Sequence, residues 1–233
     1  MRRRSTILAA LLGVAAAVVL AAVLASSSGS DPQDHRKVAR VRDVTSTVHG
    51  IPQHGIVLGD PQAPILLVEF ADAQCPFCRQ FAIQTWPTIV QKYIRTGKVR
   101  MELRLVDFLG PDSTRAARAL EGAGLQNRMW DASARFYDVQ GRENTGYVTD
   151  AFLRQVLGGI GGLDVGRAMA ARGSAQVRDA LGANRSMRSR YGVTSTPTLL
   201  VGSDDTDLRI VGAGVMSPQQ LGQALDAQLG PTI

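Results

Sequence analysis

Cys75 and Cys78 are the two cysteines of this 233-residue chain, in the stretch Ala71–Phe81, ADAQCPFCRQF. Cysteines separated by two residues can be half of a metal site, a protease nucleophile, a structural clip or a redox pair. A structural zinc needs four ligands, usually a second cysteine pair or two histidines. The three histidines, His35, His49 and His54, all lie upstream. His49 and His54 reach the sulfurs only if a loop containing glycine and proline folds over them, so no metal site is expected. A protease nucleophile needs a histidine base, and none follows Cys75. A disulfide across so short a loop constrains the unfolded chain little and makes a poor clip.

The redox reading has a physical mechanism. A strand that delivers a cysteine to a helix N-terminus sets its sulfur against unpaired backbone N–H groups and the positive end of the helix dipole. Both favour thiolate over thiol, so Cys75 is expected to be nucleophilic. Pro76 suits a first helical turn, where its missing N–H is not needed. Cys78 lies one turn deeper, placed to attack a mixed disulfide formed on Cys75. The pair reads as a redox-active disulfide.

The surrounding pattern supplies the required elements. Ile65–Phe70, ILLVEF, is a near-continuous apolar run, as in a central strand buried on both faces. From Cys75 a helical periodicity carries Phe81, Trp86, Ile89, Val90 and Tyr93 until Gly97. Trp86 and Trp130 read as packing residues. Gly55–Gly59 is a short strand candidate, and Val99–Phe108 alternates as a half-buried strand. Residues 112–191 read as helices, with caps at Asp112 or Ser113, at Thr149 and at Ser174. This block is expected to cover one side of the sheet and the mouth of the site. Thr196–Gly202 and Asp207–Ala213 then read as a strand hairpin, followed by a helix capped by Ser217 with Pro218 in its first turn. The fold class is α/β, with the sheet interrupted by a helical block and then resumed.

The N-terminus is a different material. Arg2, Arg3 and Arg4 precede an uncharged run, Ile7–Ala25, long enough at about 28 Å to span a bilayer as a helix. Residues 1–25 are therefore expected to be a signal anchor that keeps its N-terminus in the cytoplasm, with a cleaved signal peptide as the alternative. Residues 26–47 read as a polar, basic tether. The net charge of +6 is modest and concentrated upstream, without an aromatic-rich basic patch. Nucleic acid is not the expected partner.

Residues 48–233 resemble the DsbA-like branch of thioredoxin-fold disulfide oxidoreductases. The resemblance rests on GIVLGDPQAPILLVEFADAQCPFCRQF, the helical block after it, and YGVTSTPTLLVG. It implies a thioredoxin fold with a helical insertion between its two halves. It makes Thr196–Pro197 a cis-proline loop beside the active disulfide, with the Thr196 backbone pairing to an extended substrate. It makes Glu69 a buried acid that accepts a proton from Cys78. Strong oxidants of this branch carry histidine between the cysteines, whereas here the dipeptide is Pro76–Phe77, and Phe77 offers no donor. The implied activity is disulfide formation in exported, cysteine-containing proteins, by a membrane-held, extracytoplasmic domain and without metal or organic cofactor. Reoxidation would fall to a quinone-linked membrane oxidase of the DsbB or vitamin K epoxide reductase (VKOR) type. The alternatives are a reductase or isomerase of the same fold, or a tethered module without catalysis.

Overall fold

The computed structural model describes residues 44–230. The expected anchor and the tether up to residue 43 lie outside the described residues. Among those described, no helix is long and apolar enough to cross a membrane. The packed chain begins with a short helix, α1 (Val44–Val48). Its two valines stand four apart on one helical face and are both buried, while Asp138 accepts bonds from the Val44 and Thr45 N–H groups at 2.8 and 3.2 Å. The last residues of the expected tether are thus part of the packed unit.

One six-stranded sheet organises the rest. Its strands are β1 (Gln53–His54), β2 (Val57–Leu58), β3 (Ile65–Ala71), β4 (Val99–Leu105), β5 (Thr198–Gly202) and β6 (Arg209–Ala213). Their order is β1-β2-β4-β3-β5-β6, with β3 parallel to β4 and antiparallel to β5. The single strand expected near Gly55–Gly59 is instead a two-strand ribbon around Gly55, whose φ of +60° suits glycine. All seven β3 residues are buried, which accounts for its continuous apolar run. Side chains alternate sides along a strand: Ile65, Leu67 and Ala71 join the larger core, Leu66, Val68 and Phe70 the smaller. Glu69 is in step with the larger one.

The helix expected from Cys75 to Gly97 is divided into α2 (Pro76–Gln84), α3 (Trp86–Ile89) and a π-helical turn, Val90–Ile94. Pro87 explains the break: it has no N–H for the Ile83 carbonyl, and its ring crowds the preceding turn. Thr85, at the break, donates its hydroxyl to the Met216 carbonyl at 2.6 Å.

The block between β4 and β5 is helical, as expected: α4 (Pro111–Gly124), α5 (Met129–Asp138), α6 (Asp150–Gly158), α7 (Val165–Ala171) and α8 (Ala175–Arg190). A last helix, α9 (Pro218–Leu229), follows β6. Thr149, Ser174 and Ser217 cap α6, α8 and α9 through their hydroxyls. At α4 the cap is Gly110, and Asp112 and Ser113 sit inside the first turn, because Pro111 takes the position where a proline is best tolerated. The block covers both sides of the sheet. Leu120, Trp130 and Phe136 pack in the larger core, and Met187 of α8 packs on Val68, Phe70 and Leu200 in the smaller.

Candidate active site

Strand β3 runs directly into the loop that carries the cysteines. Asp72, fully buried, ties that loop down: its carboxylate accepts from the N–H of Gln74 (2.9 Å), the hydroxyl of Ser113 (2.7 Å) and the N–H of Leu109 (3.0 Å). Gln74 in turn donates to Ser113 at 2.9 Å and accepts from the Asn144 N–H at 2.9 Å. Gln140, just beyond α5, donates to the carbonyls of Ala73 and Cys75 at 2.7 and 3.2 Å. The helical block therefore holds the loop from outside the sheet.

Cys75 is the N-cap of α2, in extended backbone, with Pro76 in the first turn. Both sulfurs are free thiols. Cys75 is 5% exposed and Cys78 0%. The Cys78 thiol donates to the Cys75 sulfur, and this is the largest influence on it; the Thr196 hydroxyl and the N–H groups of Cys78 and Phe77 act the same way. Together they outweigh partial burial and hold the Cys75 thiol at about 6, against 9.0 for a free one. The Thr196 carbonyl, 3.4 Å from Cys75 Sγ, accepts only from the protonated sulfur and does not reverse the balance. Cys78 moves the other way. Burial first, then the bond to Cys75 and the nearby Glu69 charge, push it well above 9.0.

The Thr196–Pro197 peptide is cis, and the Pro197 carbonyl accepts from the Gly214 N–H at 2.7 Å. Thr196 is thus beside the sulfur at the mouth of the site. Phe77 is 58% exposed there. Glu69 lies beneath, 0% exposed, which excludes a solvent-facing strand-end glutamate. One oxygen accepts from the Trp86 indole N–H at 2.9 Å; the other has no hydrogen-bond partner among the described residues. Burial is the main cause that raises its carboxyl to about 8, partly opposed by the Trp86 bond. No three His, Cys, Asp or Glu side chains among the described residues are grouped to hold a metal ion.

A family described as thioredoxin matches residues 52–227. The chain belongs to the thioredoxin family. One curated relative, probable disulfide bond formation protein D of Bacillus anthracis, is 30% identical over 102 residues, 43% of this chain and 47% of that protein. The chain thus spans about half the length of the curated relative it matches. Among solved structures, oxidised BdbD from Bacillus subtilis superposes with a TM-score of 0.67 at 22% identity, over 79% of this chain and 99% of that one. Wolbachia pipientis alpha-DsbA1 gives 0.62 at 22% identity, over 75% and 90%. The fold is that of DsbA-like thioredoxin proteins, with the helical block as its insertion.

Sequence reasoning brought together Cys75, Cys78, Glu69, Pro76, Phe77, Thr196 and Pro197, and they do converge. It assigns Trp86 to packing only, and it misses Asp72, Ser113, Gln140 and Tyr137, whose ring meets Trp86 edge-on with centroids 5.9 Å apart. Asp72 had a signal, since an aspartate two residues before its N–H partner is a recurrent turn device. The other three reach the site through the tertiary fold alone.

Proposed function

We propose that this chain is a thiol:disulfide oxidoreductase that works outside the cytoplasm and donates the Cys75–Cys78 disulfide to exported proteins. The observation that carries this reading is the opposed state of the two sulfurs, Cys75 held low and Cys78 pushed high. A substrate thiolate attacks Cys75 Sγ, the S–S bond breaks, and its electron pair leaves on Cys78. A second substrate thiolate then attacks the substrate sulfur of the mixed disulfide. The substrate departs oxidised and Cys75 leaves as the thiolate its surroundings favour. Stabilising this reduced form makes the disulfide a better oxidant.

Glu69 serves as the proton store for Cys78, giving a proton when that sulfur leaves and taking it back when the pair is reoxidised. Thr196–Pro197 borders the substrate cleft, and the exposed Phe77 ring gives it an apolar rim. The redox equivalents reside in two sulfurs, so the reaction needs no metal or organic cofactor. A quinone-linked membrane oxidase of the DsbB or VKOR type collects the electrons. The arginines and apolar run at residues 2–25 support a membrane anchor with the catalytic domain outside. A reductase of the same fold is the second reading, favoured by one observation: Phe77 offers the Cys75 sulfur no side-chain donor.

The test uses bacterial cells lacking their own disulfide donor, with an exported enzyme whose activity requires a disulfide. The full chain should restore that activity, and Cys75→Ser or removal of residues 1–25 should abolish it. No rescue by the full chain, or rescue without residues 1–25, contradicts the reading.

A further inference from the structure

Two buried polar atoms near the cysteines have no hydrogen-bond partner among the described residues: Glu69 Oε1 and the hydroxyl of Tyr137. Burying a hydroxyl unpaired is unfavourable, and a phenylalanine would fill the same space without that penalty. Tyr137 comes from α5, in the inserted block, and is 1% exposed. Its ring meets Trp86 edge-on, with centroids 5.9 Å apart, and Trp86 grips the other oxygen of Glu69. Its backbone carbonyl accepts from Arg79 Nε at 2.7 Å, and Arg79 follows Cys78 in α2. Tyr137 is thus tied to the acid through Trp86 and, by its backbone, to the cysteine helix. The charged groups that bear on it are Cys78, Glu69, Cys75 and Asp72, from β3, the loop and α2.

We infer that Tyr137 is a positioning residue for the buried half of the redox pair, its hydroxyl serving the negative charge that passes between Cys78 and Glu69. This rests on the oxidoreductase reading above. When the S–S bond breaks, Cys78 leaves as a buried thiolate, and the Tyr137 O–H donates a hydrogen bond to it. Glu69, protonated at neutral pH because its carboxyl titrates near 8, gives its proton to that sulfur. Thiolate and carboxylic acid become thiol and carboxylate, and the phenol turns to the carboxylate. In reoxidation the sequence reverses.

The test is the pH dependence of Cys78 alkylation in full-length protein carrying Cys75→Ser, with and without Tyr137→Phe. Removing the hydroxyl keeps the ring, its contact with Trp86 and the bond to Arg79, and should raise the midpoint by about half a unit to one unit. At a fixed pH below the midpoint the reaction should be about three- to tenfold slower. A second arm keeps the protein's shape: 3-fluorotyrosine at position 137, a stronger donor, should move the midpoint down. Unchanged midpoints overturn the inference; should Tyr137→Phe fail to fold, the fluorotyrosine arm decides alone. Oxidation of a dithiol peptide by the unaltered protein separates the two claims. If that reaction proceeds while the midpoints stay fixed, only the role of Tyr137 falls.

Discussion

Glu69 stands in a strand whose every residue is buried, with one oxygen on the Trp86 indole and the other without a partner among the described residues. Its carboxyl titrates near 4.5 when free and near 8 in the fold, so the folded chain holds the proton more tightly than the unfolded one. The associated stability is fully present below the unfolded value and is lost as pH rises through the folded one. Glu69→Gln cannot ionise and should remove this slope. Between about pH 5 and about pH 9 the variant should gain on the parent by on the order of 4 kcal/mol. Urea unfolding of the reduced proteins across that range checks it; parallel stability curves would show that Glu69 is not buried as an acid. At this scale the chemistry was legible where one residue type implies it. Cys75, Pro76 and Cys78 needed only their spacing and a helix terminus. Glu69 could be read only through resemblance, because a glutamate in an apolar strand is equally consistent with an exposed strand end. Trp86 was read as packing because no sequence pattern tells an indole N–H that meets a carboxylate from one that does not.

Periodicity and capping residues located most of the elements. Thr149, Ser174 and Ser217 each begin a helix with a hydroxyl that accepts from an N–H three residues on. The apolar run of β3 predicted a strand covered on both faces. The misses share one cause: local signals set the ends of elements without saying what they meet. Pro87 divides a helix whose apolar spacing continues across it. Helix α4 and α7 approach so closely at Gly122 that a Cβ there would run into the Ala168 carbonyl. Gly122→Ala tests this packing, since in an open helix the change would stabilise by about 1 kcal/mol. Here it should destabilise by roughly 1–3 kcal/mol, the usual range for overpacking. Thermal unfolding reads the sign directly, and a stabilised variant would mean that α4 and α7 are not in contact at this point.

Across the whole molecule, the order strand, helix and strand, then helices, then hairpin and helix, specifies the interrupted sheet. What the linear pattern did not convey is that the inserted helices wrap both faces. Gln140 from that block meets the active loop and Tyr137 meets the Trp86 ring that holds the buried acid, while Met187 packs in the opposite core. Side assignment depends on loop paths, which carry no periodic signal. The insertion is therefore part of the site, and both it and the sheet hold the two sulfurs in unlike surroundings. Residue-resolved alkylation of the reduced full-length protein against pH measures that asymmetry. Cys75 should react with a midpoint near 6, and Cys78 should stay slow up to and beyond 9.0. A Cys75 that titrates near the free-thiol value of 9.0, or a Cys78 that alkylates faster than Cys75, would show that the fold does not set the two sulfurs apart.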